Sequence, residues 1–253
     1  MQVLSSSALG QGPRLVLIPG WAMHSGVWRE FAERLAANFC VTCVDLPGHG
    51  LSPAWAEWTL VATAKALAEL IPDRALWLGW SLGGQVALEL AQRYPAKVAA
   101  LVLVATNPRF VAESDWPGMA PAMFESFALG VETQSKATMH RFLALNCLGA
   151  SGAMELLRRL RTAWESYPAP APAVLRQGLE ILRQTDLRQG LAEISCPVAV
   201  VAGSQDQLVP VAAAERLAAG LPQAQLKILE GAGHVPFLSH AEELAALTWG
   251  LAA

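Results

Sequence analysis

The sequence predicts an α/β fold with a mostly parallel, doubly wound sheet and a helical segment inserted between two strands. Three observations predict it. Short apolar runs alternate with amphipathic stretches, the runs are continuously apolar, and the alternation stops after Thr106 and resumes near Val198. Continuously apolar strands suit a parallel sheet that helices cover on both faces. The βαβα order of the elements gives the doubly wound topology.

Six apolar runs are expected to form the strands, at residues 15–18, 41–44, 76–78, 101–104, 198–201 and 226–229. Helices are predicted over residues 27–37, 59–71 and 84–94. In the first of these, Val27, Phe31 and Leu35 lie on one helical stripe. The third helix must end before Pro95, because proline disfavours helical backbone in the residue that precedes it.

Residues 108–189 contain no convincing strand, only helical segments broken by prolines. The clearest helices are predicted at 123–148 and 152–164, and a stiff proline-rich bend follows at 167–172. An insertion at this point lies over the carboxyl ends of the strands, where α/β folds bind ligands. We therefore predict a helical lid over residues 108–189, on a core formed by residues 1–107 and 190–253, and no second independent domain.

Composition limits the function further. Of 253 residues, 53% are hydrophobic and 15% are charged, which predicts a well-packed globule. A net charge of −3 gives no general attraction to nucleic acid or to anionic membranes. The beginning of the chain, MQVLSSSALGQG, does not look like a secretory signal, and no apolar run could span a bilayer. A cytoplasmic monomer is expected.

A candidate nucleophile stands where the predicted strand 76–78 turns into a helix. The turn reads Gly79-Trp80-Ser81-Leu82-Gly83. So sharp a turn forces its middle residue into a strained conformation, and small residues on either side let strand and helix approach each other. We expect the Ser81 hydroxyl to project from the sheet at the positive end of the following helix.

A base and an acid follow later strands. His234 comes directly after the last predicted strand, and Asp206 comes shortly after strand 198–201. The carboxyl ends of parallel strands meet at one edge, so both should lie near Ser81. The order Ser81, Asp206, His234 is that of the α/β-hydrolase triad. Two other candidates fit structural roles better: Asp45 fixes hydrogen bonds in a turn, and His240 begins the C-terminal helix, where we expect a solvated capping role.

The triad hypothesis gives each group a role. His234 takes the Ser81 proton and returns it to the departing alcohol, while Asp206 fixes the imidazole tautomer. The backbone N–H groups of Leu82 and Trp21 are the expected oxyanion donors. A phosphate-binding loop is excluded, because Gln85 stands where such a loop needs lysine. Hydrolases of this fold that use an aspartate nucleophile are excluded too, because Ser81 stands at the position of that aspartate.

No metal or cofactor is expected, since no His, Asp or Glu cluster has metal-ligand spacing. Cys40 and Cys43 have the spacing of a redox or zinc half-site. Residues three apart on a strand point to opposite faces, roughly 10 Å apart, so we expect reduced thiols there.

The chain contains the motifs Pro19-Gly20-Trp21, DLPGHG at 45–50, LWLGWSLGG at 76–84, DWPG at 115–118, RFLAL at 141–145 and parts of 178–188. Together these motifs resemble those of the pimeloyl-[acyl-carrier protein] methyl ester esterases of biotin biosynthesis. The resemblance implies hydrolysis of the methyl ester on a carrier-bound pimeloyl chain, with release of methanol. It also implies a substrate site formed by Trp21, Ser81, Leu82, Phe142, Leu143, Ala144, Leu145, Asn146 and His234. Pro19 departs from the family, which commonly has histidine there.

The implied partner is an acidic acyl carrier protein, and the charge of the lid suits it. Residues 136–161 carry five Lys or Arg and one Glu, a net charge of +4. The resemblance places carrier contacts at Arg141 and Arg158, and proximity adds Arg159 and Arg161. The alternative is an ordinary solvated helix face. Ala137 and Met154 stand where the family tends to have a basic residue.

Two other functions remain open from the sequence. One is a short-chain carboxylesterase of broad specificity, with the same chemistry and a different physiological ester. The other is a binding module that keeps the fold without turnover.

Overall fold

A computed structural model describes residues 3–251 and contains one seven-stranded sheet. The strands are β1 (Ser6–Leu9), β2 (Arg14–Ile18), β3 (Cys40–Val44), β4 (Ala75–Trp80), β5 (Val98–Val104), β6 (Val198–Gly203) and β7 (Ala224–Leu229). Their spatial order is β1-β3-β2-β4-β5-β6-β7, and every pair is parallel except β1 with β3. The predicted α/β fold with a mostly parallel sheet is confirmed.

The helices are α1 (Arg29–Leu35), α2 (Leu60–Leu70), α3 (Leu82–Arg93), α4 (Pro121–Thr133), α5 (Ser135–Cys147), α6 (Ala153–Trp164), α7 (Pro172–Gln184), α8 (Val211–Gly220), α9 (Pro236–Ser239) and α10 (Ala241–Gly250). Short 3-10 turns precede α1, follow α3 and precede β6. Within residues 3–251, no helix has the length and apolar character that a membrane crossing demands.

The central strands are buried throughout, which explains why they are apolar without alternation. Every residue of β4 and β6 is buried, because helices cover both faces of the sheet. All six predicted strands are present. The edge strand β1 was not predicted, because its sequence SSAL is half polar and mostly exposed, and only its pairing with β3 makes it a strand.

Helices α4 to α7 lie between β5 and β6, within residues 108–189. The single helix predicted over residues 123–148 is wrong in one respect, because the chain breaks at Gln134, whose backbone leaves the helical region. The two resulting helices pack closely where Gly130 faces Thr138. A Cβ atom at position 130 would lie 2.7 Å from the Thr138 hydroxyl. The buried side chains of α4 to α7 join those of the sheet in one continuous core.

Candidate active site

Ser81 occupies a strained turn between β4 and α3. Its backbone has φ 56° and ψ −119°, a conformation that residues with a side chain rarely adopt. Gly79 and Gly83 make the turn possible, because a Cβ atom on Gly79 would collide with the Gly83 carbonyl and one on Gly83 with the Ile18 carbonyl. Ser81 is almost buried, with 9% of its surface exposed. The strained turn predicted from the sequence is therefore present.

Asp206 and His234 meet at the edge of the sheet where β6 and β7 end. His234 Nδ1 lies 2.7 Å from Asp206 Oδ2, and both side chains are only 1% exposed. The other carboxylate oxygen, Oδ1, accepts hydrogen bonds from the backbone N–H groups of Leu208 and Val209 at 2.8 and 3.0 Å. Because a carboxylate only accepts, Nδ1 of His234 carries a proton, so in the neutral ring Nε2 is the nitrogen with the free lone pair.

The His234 backbone is fixed from two sides. Its N–H donates to the Asn146 carbonyl at 2.9 Å, and its own carbonyl accepts from the indole Nε1 of Trp80 at 2.7 Å. Trp80 is the residue before Ser81, so this bond joins the two candidate catalytic segments. The His234 Nε2 atom is buried and has no hydrogen-bond partner among residues 3–251, Ser81 included. The hydrogen bond between a catalytic base and its nucleophile often forms or shortens only when substrate binds.

The loop after β2 lies against Ser81. A Cβ atom on Gly20 would be 3.2 Å from that of Ser81, so only a very small residue fits there. Ala22 in the same loop has φ 61°. Among the described residues, the backbone N–H groups of Trp21 and Leu82 donate to no protein acceptor. Neither group is engaged elsewhere in the described part of the chain, and their role as oxyanion donors stays a prediction.

The inserted helices hold this loop in place. The Trp21 indole donates to the Leu175 carbonyl at 3.0 Å, and the Trp164 indole donates to the Ala22 carbonyl at the same distance. His24 Nε2 donates to the Trp164 carbonyl at 3.0 Å. Burial lowers the pKa of His24, which favours the neutral ring that these contacts need.

An apolar cavity opens beside Ser81. Ser81 is the polar residue of its lining, which otherwise consists of Trp21, Phe110, Met119, Met123, Phe124, Phe127, Phe142, Leu145, Leu179, Leu182 and Leu208. Met123 is the exposed member of this lining, at 54%. The cavity suits an aliphatic chain with its reacting group at Ser81.

The predicted substrate segment on α5 divides between two faces. Phe142 and Leu145 line the cavity, and the Phe142 ring packs edge-on against Trp21 with 5.0 Å between ring centroids. Leu143 is fully buried and lies outside the lining. Ala144 is exposed on the outer side of the helix. Asn146 is buried, and its backbone carbonyl contacts His234 rather than the cavity.

Sequence reasoning missed most of the cavity wall. Phe124 and Phe127 on α4 and Leu179 and Leu182 on α7 lie on apolar stripes that lid packing alone would explain. Their i, i+3 spacing was the available signal, but it cannot tell a core face from a binding face.

Asp45 has the turn role predicted for it, whereas the capping role predicted for His240 is wrong. Asp45 accepts from the N–H groups of Ser25 and Leu51 at 2.6 and 2.9 Å. His240 precedes α10, but its ring does not cap the helix and instead contacts Ser239 Oγ and the Glu230 carbonyl. Cys40 and Cys43 are free thiols on β3.

The four arginines predicted to contact the carrier protein differ in their exposure and in the ion pairs they already form. Arg141 and Arg161 are exposed and form no salt bridge with any described residue. Arg158 is exposed and pairs with Glu155 on its own helix at 2.6 Å. Arg159 is half-buried and joins α6 to other elements, bonding the Leu238 carbonyl at 3.0 Å and Glu30 at 2.5 Å.

The sheet, the strained serine turn and the buried acid–histidine pair define an α/β hydrolase. A family described as alpha/beta hydrolase fold matches residues 13–241. An esterase from Exiguobacterium antarcticum superposes with a TM-score of 0.90 at 21% identity, covering 99% of this chain and 96% of that one. An esterase from Thermogutta terrifontis gives 0.83 at 25% identity, covering 98% and 92%.

Sequence relatives are more specific. The pimeloyl-[acyl-carrier protein] methyl ester esterase of Methylococcus capsulatus is 45% identical over 94% of both chains. Proteins of the same name from Chromobacterium violaceum and Xanthomonas oryzae are 43% and 42% identical, over 93% and 94% of this chain and 92% and 94% of theirs. The chain therefore belongs to this esterase family within the α/β hydrolases, which confirms the resemblance in its motifs.

Proposed function

We propose that the protein is a serine carboxylesterase that hydrolyses the methyl ester of a pimeloyl chain carried by acyl carrier protein, releasing methanol in biotin biosynthesis. The observation that carries the proposal is the buried His234–Asp206 pair, 2.7 Å apart, whose Nε2 has no partner among the described residues and whose backbone carbonyl is bonded to Trp80, the residue before Ser81. The relatives that bear this name match the chain almost from end to end, and the fold family makes ester hydrolysis the expected chemistry.

The reaction follows from the roles of these groups. Ser81 Oγ attacks the ester carbonyl as His234 Nε2 takes its proton, and the N–H groups of Leu82 and Trp21 stabilise the oxyanion. The protonated histidine, stabilised by Asp206, returns the proton to the methoxy group, and methanol leaves. Water then attacks the acyl-enzyme by the same route and frees the carboxylate. Protein groups and water supply every proton in this sequence.

The cavity is where we place the pimeloyl chain. Its apolar wall contacts methylene groups without offering them hydrogen bonds, while its one polar residue is the nucleophile. Trp21, Phe142 and Leu145 are the predicted substrate contacts that line it. We propose that the chain reaches the surface beside the exposed Met123.

For the acidic carrier we propose a docking surface on α5 and α6 that includes Arg141, Arg158 and Arg161. The pair of Arg158 with Glu155 lies on the surface, where water and salt screen it, so Arg158 can exchange Glu155 for an acidic group of the carrier. We assign Arg159 a structural role instead, because it is half-buried and already bonds two groups of its own chain.

The test is turnover of methyl pimeloyl-acyl carrier protein by the purified protein, with p-nitrophenyl acetate as a small ester. The proposal predicts conversion of the carrier ester to the free acid and loss of both activities in Ser81→Ala. Rapid cleavage of small esters without the carrier ester would instead indicate a broad short-chain carboxylesterase. A well-folded protein that cleaves neither ester would indicate a binding module.

A further inference from the structure

The Ser81 carbonyl oxygen accepts three hydrogen bonds, and one comes from a side chain outside the proposed machinery. The N–H groups of Gly84 and Gln85, in the first turn of α3, donate at 2.9 and 3.3 Å. The third donor is the Thr106 hydroxyl at 2.6 Å. Thr106 is buried and stands two residues after β5.

The end of β5 therefore holds both peptide groups of Ser81. The Ser81 N–H donates to the Val104 carbonyl at 2.9 Å, and its carbonyl accepts from Thr106. Between these contacts, Ala105 has φ 47° and donates to the Val201 carbonyl at 2.8 Å. A non-glycine residue keeps such a conformation only where its surroundings impose it.

The carbonyl that Thr106 holds belongs to the same peptide group as the Leu82 N–H. A trans peptide is planar, and its C=O and N–H point in opposite directions. The carbonyl points along α3 towards the amides of Gly84 and Gln85, so the Leu82 N–H points out of the helix N-terminus. Negative charge is also favoured there by the helix dipole.

We propose that Thr106 is a positioning residue that orients the Leu82 N–H towards the oxyanion through its hydrogen bond to the Ser81 carbonyl. The inference rests on the proposed esterase function. A hydrogen bond to the carbonyl also polarises the peptide and strengthens its N–H as a donor. The position of the Thr106 side chain also explains why residue 84 is glycine, since a Cβ atom there would lie 2.5 Å from that of Thr106.

Thr106→Val removes the hydroxyl with little change of shape, and Thr106→Ser keeps it. Turnover of p-nitrophenyl acetate and inhibition by an alkyl trifluoromethyl ketone, which forms a tetrahedral oxyanion on serine, are the two readouts. Thr106→Val should lower kcat and the affinity for the ketone inhibitor by about tenfold each, with KM within about twofold of the wild type. This effect is smaller than the loss of an oxyanion donor itself, because the N–H group is still present. Thr106→Ser should restore both.

Thr248→Val is the matched control. Thr248 is also buried and also donates its hydroxyl to a carbonyl, that of Leu244 at 2.8 Å, in the distant helix α10. It should leave kcat and ketone affinity unchanged, although it removes a bond of the same kind. Should Thr106→Val not fold, Thr106→Cys, whose thiol is a weak donor, replaces it in the comparison with Thr106→Ser.

Two results would overturn the inference alone. One is a Thr106→Val protein with the kcat and ketone affinity of the wild type. The other is a Thr106→Ser protein as impaired as the Val or Cys variant. A wild type that turns over neither p-nitrophenyl acetate nor the carrier ester would overturn the proposed function, and this inference with it.

Discussion

His234 Nδ1 lies 2.7 Å from Asp206 Oδ2, with both side chains closed off from solvent. The proton on Nδ1 is therefore fixed, and Nε2 is left as the base. Asp206 can do this because Leu208 and Val209 hold its other oxygen in place.

Asp206→Asn tests this relationship. The amide oxygen can still accept from Leu208 and Val209, but its NH2 group would face His234 and favour the wrong tautomer. We expect kcat for p-nitrophenyl acetate to fall by about 10⁴ with the thermal unfolding midpoint little changed. A variant with activity within about tenfold of the wild type would show that Asp206 does not orient the base.

Leu145→Trp tests the cavity as the acyl site. The larger side chain fills space beside Ser81, so long acyl chains should suffer more than acetate. The ratio of kcat/KM for p-nitrophenyl hexanoate to that for the acetate should fall by at least about tenfold. Leu148→Trp, at the exposed position directly after the same helix, is the control and should leave the ratio unchanged. Equal ratios in both variants would place the acyl chain elsewhere.

Charge reversal tests the docking surface. The double variant Arg141→Glu, Arg158→Glu should lower kcat/KM for the carrier ester by at least about tenfold relative to that for p-nitrophenyl acetate, and the difference should shrink as salt rises. The control pair Lys65→Glu, Lys227→Glu makes the same change of net charge on α2 and β7, both exposed. If the control lowers carrier turnover equally, general charge explains the effect.

His49 gives the protein a predictable acid sensitivity. Its ring is fully buried, Nδ1 donates to the Pro47 carbonyl at 2.9 Å, and burial lowers its pKa to about 4. The unfolded chain therefore binds more protons than the folded one between about pH 6.5 and 4, so stability is lost as the pH falls through this window.

His49→Asn keeps a donor near the position of Nδ1 and cannot titrate. Between pH 7.5 and 5 the wild type should lose about 2 kcal/mol more unfolding free energy than the variant. Urea unfolding at both pH values measures the difference. Identical pH dependence in the two proteins would mean that His49 is accessible to protons in the folded state.

The sequence was most informative where local chemistry determines the backbone. Small residues mark the strained turn at Ser81, and apolar runs mark the strands that precede Ser81, Asp206 and His234. Together these segments fit one topology. The break at Gln134 was not predictable in this way, since the tertiary packing of Gly130 on Thr138 determines it. The strand β1 was not predictable either, since its pairing with β3 determines it.

The support of the site was likewise hidden. The contacts of Asn146 with the His234 N–H and of Thr106 with the Ser81 carbonyl join residues 88 and 25 positions apart. Both partners of the first contact and one partner of the second are backbone groups, so side-chain identity gives no direct signal. Ala144 shows the opposite problem. The motif RFLAL on α5, which carries the family resemblance, includes positions on the outer side of the helix as well as positions on the cavity.

Covalent labelling tests the central claim most directly. Treatment with a fluorophosphonate and peptide mass mapping should give one adduct per chain, on Ser81, at a rate that falls sharply in His234→Asn. The account predicts that this adduct abolishes hydrolysis of both esters in proportion to labelling. Full esterase activity after complete modification of Ser81, or labelling of a different serine that tracks the loss, would contradict it.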